Sequence, residues 1–173
     1  MPRNGFQLDL NLCTGCAACV VACASENELP WGTSWRWVDT FNPERLPGIP
    51  VHHLSLACNH CGDAPCADAC PAVAYRRDPD TGAVLLDGDK CIGCRYCTWA
   101  CPYDAPKFDP GAGVVTTWTF CNPRQREGLA PACVNQCPTG ALRVGPLSDL
   151  DGDVDVPGFP RTGARPALRF RPL

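Results

Sequence analysis

A small, loop-rich α+β fold is what three features of this 173-residue chain predict. Fifteen cysteines are present, and almost every one lies two or three residues from another. Short stretches with strand-like patterning run directly into the cysteine groups. No apolar run approaches the length of a long buried helix or a membrane span. With 19 prolines and 16 glycines, the segments between the cysteine groups read as turns and connectors.

In chain order, Phe6, Leu8, Leu10 and Leu12 alternate with polar residues, which predicts a strand. It leads into Cys13-x2-Cys16-x2-Cys19-x3-Cys23, where the small apolar segment 17–24 predicts a short helix. Residues 26–50 form a connector rich in aromatics and proline, with Trp31, Trp35 and Trp37 expected to roof the neighbouring cysteines. A strand over 51–57 precedes Cys58-x2-Cys61-x4-Cys66-x3-Cys70-Pro71. Asp78-Pro79-Asp80-Thr81-Gly82 has turn composition, and a strand at 83–87 feeds Cys91-x2-Cys94-x2-Cys97-x3-Cys101-Pro102. A strand at 114–120 reaches Cys121, and Cys133-x3-Cys137-Pro138 precedes a last strand at 141–144. From Ser148 an acidic turn with Asp149, Asp151, Asp153 and Asp155 gives way to a Pro/Arg segment, expected to lie extended over a surface.

The cysteine spacing decides the chemistry. C-x2-C-x2-C-x3-C-P is the bacterial ferredoxin run: three thiolates grip one iron–sulfur cube and the fourth serves a neighbour. Disulfide frameworks spread partners along the chain and fit an odd count poorly. A zinc module is the other metal reading, but it leaves the third cysteine of each run idle. The chain is thus a fourfold repeat of strand, cysteine run and short helix, and each pair of repeats builds one bacterial-ferredoxin-like two-cluster module. A formal charge of −3 and an isoelectric point near 5.5 argue against nucleic acid as a partner. The first residues, Met1 to Gly5, lack the charged-then-apolar pattern of a secretory signal. His60, inside Cys58-x2-Cys61, is expected to support the site rather than ligate, and one of His52 and His53 must face inward. Nothing resembles a substrate-processing site.

The four runs, in this order and with these spacers, resemble the four-cluster ferredoxin-type iron–sulfur subunit of the dimethyl sulfoxide reductase and polysulfide reductase family of molybdopterin oxidoreductases. The similarity covers residues 7–142 and is especially close over Leu129-Ala130-Pro131-Ala132-Cys133-Val134-Asn135-Gln136-Cys137-Pro138-Thr139-Gly140-Ala141. It implies that run one pairs with run four and run two with run three. One module would then comprise residues 1–50 with 110–147, the other 51–109, leaving 148–173 as the extended tail. Cluster 1 would use Cys13, Cys16, Cys19 and Cys137. Cluster 3 would use Cys58, Cys61, Cys66 and Cys101, and cluster 4 Cys70, Cys91, Cys94 and Cys97. Cluster 2 inherits Cys23, Cys121 and Cys133 only, because Trp118 stands where the resemblance places a cysteine. Indole has no lone pair for iron. The implied cofactors are three 4Fe-4S clusters and one 3Fe-4S cluster, the alternative being four 4Fe-4S.

The function implied is electron transfer, not catalysis by this chain itself. Single electrons would pass between a molybdopterin (Mo or W) catalytic subunit and a membrane anchor subunit that is quinone-reactive or carries haem b, as in anaerobic respiration. The chain would be peripheral to the membrane, on either face. A freestanding soluble polyferredoxin is the alternative.

Overall fold

Strand β1 (Asn4–Asp9) is the centre of the largest sheet in the computed structural model, which describes residues 3–173. Met1 and Pro2, which open the first expected module and the region weighed for a signal, lie outside the described residues. β1 pairs antiparallel with β8 (Leu142–Pro146) on one side and parallel with β9 (Leu168–Arg171) on the other. Its apolar positions are buried as the alternation predicts, Phe6 to 5% and Leu8 to 0% exposed. The polar position between them is buried as well: Gln7 is covered by the turn at 149–155, and its side-chain amide donates to the Asp151 carbonyl at 2.7 Å.

Helix α1 (Ala18–Glu26) follows the first cysteine run. Strands β2 (Trp37–Phe41) and β3 (His52–Leu56) form an antiparallel hairpin, with Trp37 opposite Leu56 and Phe41 opposite His52. After the second run come the single-turn helix α2 (Pro65–Asp68) and the hairpin of β4 (Tyr75–Arg77) with β5 (Val84–Leu86). After the third come α3 (Tyr96–Ala100) and the hairpin of β6 (Lys107–Asp109) with β7 (Val114–Thr116). Helices α4 (Asn122–Arg126) and α5 (Ala132–Asn135) carry the fourth group back to β8. Helix α1 packs on α5, and α2 on α3. These helices are too short to hold themselves; α1, α2, α3 and α5 each bury one or two cysteines, and α4 buries Asn122.

The turn at 78–82 closes the β4–β5 hairpin. Asp78 is fully buried and accepts from the Thr81 N–H and hydroxyl, both at 2.9 Å, and from Arg126 at 2.9 Å. Arg126 lies on α4, so the turn is tied to the fourth cysteine group.

Two expectations change. The segment after Ser148 does not simply lie over a surface. Leu168-Arg169-Phe170-Arg171 becomes a sheet strand, Phe170 is 0% exposed, and Phe159 stacks on Tyr103 at 5.0 Å. The cause is the alternation of Leu168 and Phe170 with arginines, which gives one apolar face to an otherwise polar segment. The connector 26–50 also contains a strand, and Trp31 is fully exposed, so it roofs nothing. The side chain sealed beneath that region is Arg36, 1% exposed.

Candidate iron–sulfur sites

A left-handed residue recurs at the same place in all four runs. Gly15, His60, Gly93 and Phe120 each stand two residues beyond the first position of a run, and all have positive φ: 72°, 40°, 69° and 61°. At two of these places glycine is required. A Cβ on Gly93 would meet the Gly113 carbonyl at 2.3 Å, and one on Gly15 would meet the His53 ring at 2.7 Å. His60 and Phe120 occupy the other two, and their rings pack together at 5.0 Å. Trp118 therefore holds the first position of the fourth run. The backbone keeps the ligand loop while the side chain no longer supplies a ligand.

The structure gathers the cysteines from distant parts of the chain. Cys13, Cys16, Cys19 and Cys137 line one cavity, with about 300 Å³ of atom-free space. Cys58, Cys61, Cys66 and Cys101 line another, of about 370 Å³. Cys97 lies within electrostatic reach of Cys91 and Cys70, and Cys94 belongs to the same loop. Cys23, Cys121 and Cys133 form the last group, at 1%, 2% and 0% exposed. Among the described residues no three His, Cys, Asp or Glu groups lie close enough to share a single metal ion.

The electrostatics suit thiolates only when iron is bound. Burial pushes the Cys23 thiol up to about 12, and the neighbouring Cys133 and Cys121 add to the rise. Burial, with Cys58 and Cys101 nearby, likewise pushes Cys61 up to about 12 and raises Cys66. Iron that binds the sulfurs reverses this preference, since coordination removes the proton and neutralises charge. Backbone amides supply further support: the Ala74 N–H donates to Cys70 Sγ and the Val115 N–H to Cys91 Sγ, each at 3.4 Å. At Cys137 burial also pushes upward, but the Thr139 hydroxyl and the N–H groups of Leu142, Thr139 and Ala141 outweigh it. That thiol is held below its ordinary value. The residues present fit iron–sulfur clusters.

The histidines are held by contacts within the protein. His60 is buried, its pKa lowered by burial to about 3, and its Nδ1 accepts from the Val84 N–H at 3.1 Å. It is a neutral wall between Cys58 and the Trp118–Phe120 rings. His52 faces inward, stacked on Phe41 at 4.9 Å, while His53 pairs with Thr40 at the surface. The residue that sequence reasoning missed is Arg36. The only sequence signal was a charge between two tryptophans, Trp35 and Trp37, in the connector.

Repeated ligand loops, buried thiols and short helices around them define a ferredoxin-type iron–sulfur protein. Comparison with known proteins makes the class specific. Residues 49–147 match the family described as a 4Fe-4S dicluster domain, and residues 10–26 match a 4Fe-4S binding domain. This protein belongs to the 4Fe-4S dicluster family. It is 35% identical to the B component of sulfite dehydrogenase from Allochromatium vinosum, over 99% of this chain and 84% of that one. It is 38% identical to the B component of anaerobic dimethyl sulfoxide reductase from Escherichia coli (86% and 76%). It is 37% identical to protein NrfC of Escherichia coli (88% and 69%). The protein is an iron–sulfur electron-transfer subunit and not a catalytic one, and the zinc reading falls. Among the described residues no helix is long and apolar enough to cross a membrane.

Proposed function

We propose that this chain relays single electrons between a molybdopterin catalytic subunit and a membrane quinone-reactive or haem subunit, peripheral to the membrane. The observation that supports the reading is that cysteines from distant runs come together, as Cys13, Cys16 and Cys19 do with Cys137 and Cys58, Cys61 and Cys66 with Cys101. When bound, the clusters supply reversible one-electron chemistry. The protein's own part is to hold them, exclude water and set their surroundings.

In this reading Cys13, Cys16, Cys19 and Cys137 hold one 4Fe-4S cluster. Cys58, Cys61, Cys66 and Cys101 hold a second, and Cys70, Cys91, Cys94 and Cys97 a third. Cys23, Cys121 and Cys133 hold a 3Fe-4S cluster beside Trp118. Packing of α1 on α5 and of α2 on α3 supports two modules, one from 1–50 with 110–147 and the other from 51–109. The segment 148–173 would then bridge the two modules, pairing with β1 in the first and stacking Phe159 on Tyr103 of the second. A protein that passes electrons on needs clusters near its surface, and Cys16 is exposed at one group. At another, Ile92, Tyr96 and Trp99 are 69%, 53% and 81% exposed around Cys91 to Cys97. Such an apolar rim suits a permanent partner.

Purification under native conditions tests the proposal. A molybdenum- or tungsten-containing chain and a membrane chain are expected to accompany this one. Recovery as a stable monomer at cellular salt would overturn the relay in favour of a freestanding polyferredoxin.

A further inference from the structure

Arg36 is the one fully buried arginine, and it has no carboxylate partner among the described residues. Its guanidinium lies over the rings of Phe6 and Trp118, 4.5 and 4.9 Å from their centroids. Nη1 donates to Ser55 Oγ at 3.0 Å, and that hydroxyl in turn contacts Cys19 Sγ at 3.2 Å. The Arg36 Nε–H is buried with no acceptor, and so is the Trp118 Nε1–H. A buried cation without a counter-charge is strongly disfavoured, and two aromatic faces with the hydroxyl and carbonyl of Ser55, the latter at 3.4 Å, are weak compensation. The sulfurs nearest to the guanidinium are those of Cys19, reached through the Ser55 hydroxyl, and of Cys23 and Cys133, whose raised thiol pKa values the Arg36 charge opposes; all three become anionic once iron binds.

We propose that Arg36 is the internal counter-ion of the cluster held by Cys23, Cys121 and Cys133, and that it raises that cluster's reduction potential. The inference rests on the assignment of a cluster to those three cysteines. Trp118 is part of the device: the ring that replaces a ligand is also the platform on which the guanidinium is stacked. A thiolate-bound iron–sulfur cluster is net anionic and gains one negative charge on one-electron reduction, so a fixed cation favours the reduced form. The two idle N–H groups, one on Arg36 and one on Trp118, are available donors to cluster sulfur.

Redox titration of the purified holoprotein, followed by electron paramagnetic resonance, tests this. Wild type is expected to show the isotropic signal of an oxidised 3Fe-4S cluster. Arg36→Met, which keeps much of the volume and removes the charge, is expected to shift that cluster to lower potential, with smaller or no shifts elsewhere. Arg36→Lys is expected to recover most of the wild-type value. A signal present in Arg36→Met at unchanged potential overturns the inference and leaves the cluster assignment standing. Iron for four cubes and no isotropic signal overturns the trinuclear reading alone, and the Arg36→Met shift is then measured on that cube. Iron for only three clusters overturns both. Should Arg36→Met fail to fold, wild type labelled with nitrogen-15 in arginine is the second test. A weak nitrogen coupling in pulsed resonance of the signal supports the proposal, and its absence overturns it.

Discussion

In the proposed assignment, the side chain at position 118 sets what the fourth repeat can bind. Phe120 keeps the left-handed backbone that the ligand loop uses elsewhere, so Trp118→Cys should restore a fourth thiolate without rebuilding the loop. The isotropic resonance signal is expected to disappear and one further iron per chain to be gained on analysis. Gly93→Ala should act in the opposite sense on the intact third run. A left-handed alanine costs roughly 1–2 kcal/mol, and its Cβ would also collide with the Gly113 carbonyl. Reduced iron content and weaker visible absorbance are expected. Asp78 offers a test away from iron. Burial pushes its carboxyl up, but the hydrogen bonds from Thr81, Arg126 and Asn122 outweigh that and hold it at about 2 against an ordinary 3.8. A lowered folded-state pKa stabilises fully above the unfolded value and is lost as pH falls through about 2. Asp78→Asn should therefore cost about 1–3 kcal/mol near neutral pH, and its deficit against wild type should shrink below pH 4. Denaturant unfolding at several pH values checks the trend. The cysteines and Trp118 were legible in the sequence because thiolate spacing is chemistry written in order. Arg36 was not, since a charge in a connector is ordinarily solvated, and only its stacking on Phe6 and Trp118 reveals otherwise.

The elements most visible in the sequence were those that run into cysteine groups: β1, β3, β5, β7 and β8, together with α1. Their partners β2, β4, β6 and β9 were read as connector or tail. They are three to five residues long, no shorter than β5 and β7, but no cysteine run follows them directly to mark them. The last of them matters most for stability. Phe170 fills the space between β1 and Phe159, with its ring 5.0 Å from the latter. Phe170→Ala is expected to cost about 3–5 kcal/mol, seen as an earlier denaturant midpoint for loss of the visible iron–sulfur absorbance. Were the final segment only draped over the surface, the same change would fall within about 0.5 kcal/mol.

Across the whole molecule, cysteines do much of the work that leucine and phenylalanine do in other cores. Seven of them are buried, and others pack directly against the apolar cluster. Iron is thus part of the fold's cohesion. Chelation under anaerobic conditions is expected to abolish secondary structure along with colour, and proteolysis should then cut throughout the chain.

Strand β1 comes early in the chain, yet both of its neighbours, β8 and β9, are drawn from residues 142–171. While the ribosome is still adding residues, the first strand has nothing to pair with, whereas β3 to β7 already have their partners. Maturation therefore has a built-in order. The middle of the chain can close and accept iron early, and the outer sheet is completed only after β9 has been made. A truncated product would carry the central runs but never assemble that sheet, so an incomplete subunit would be marked by its own unpaired first strand.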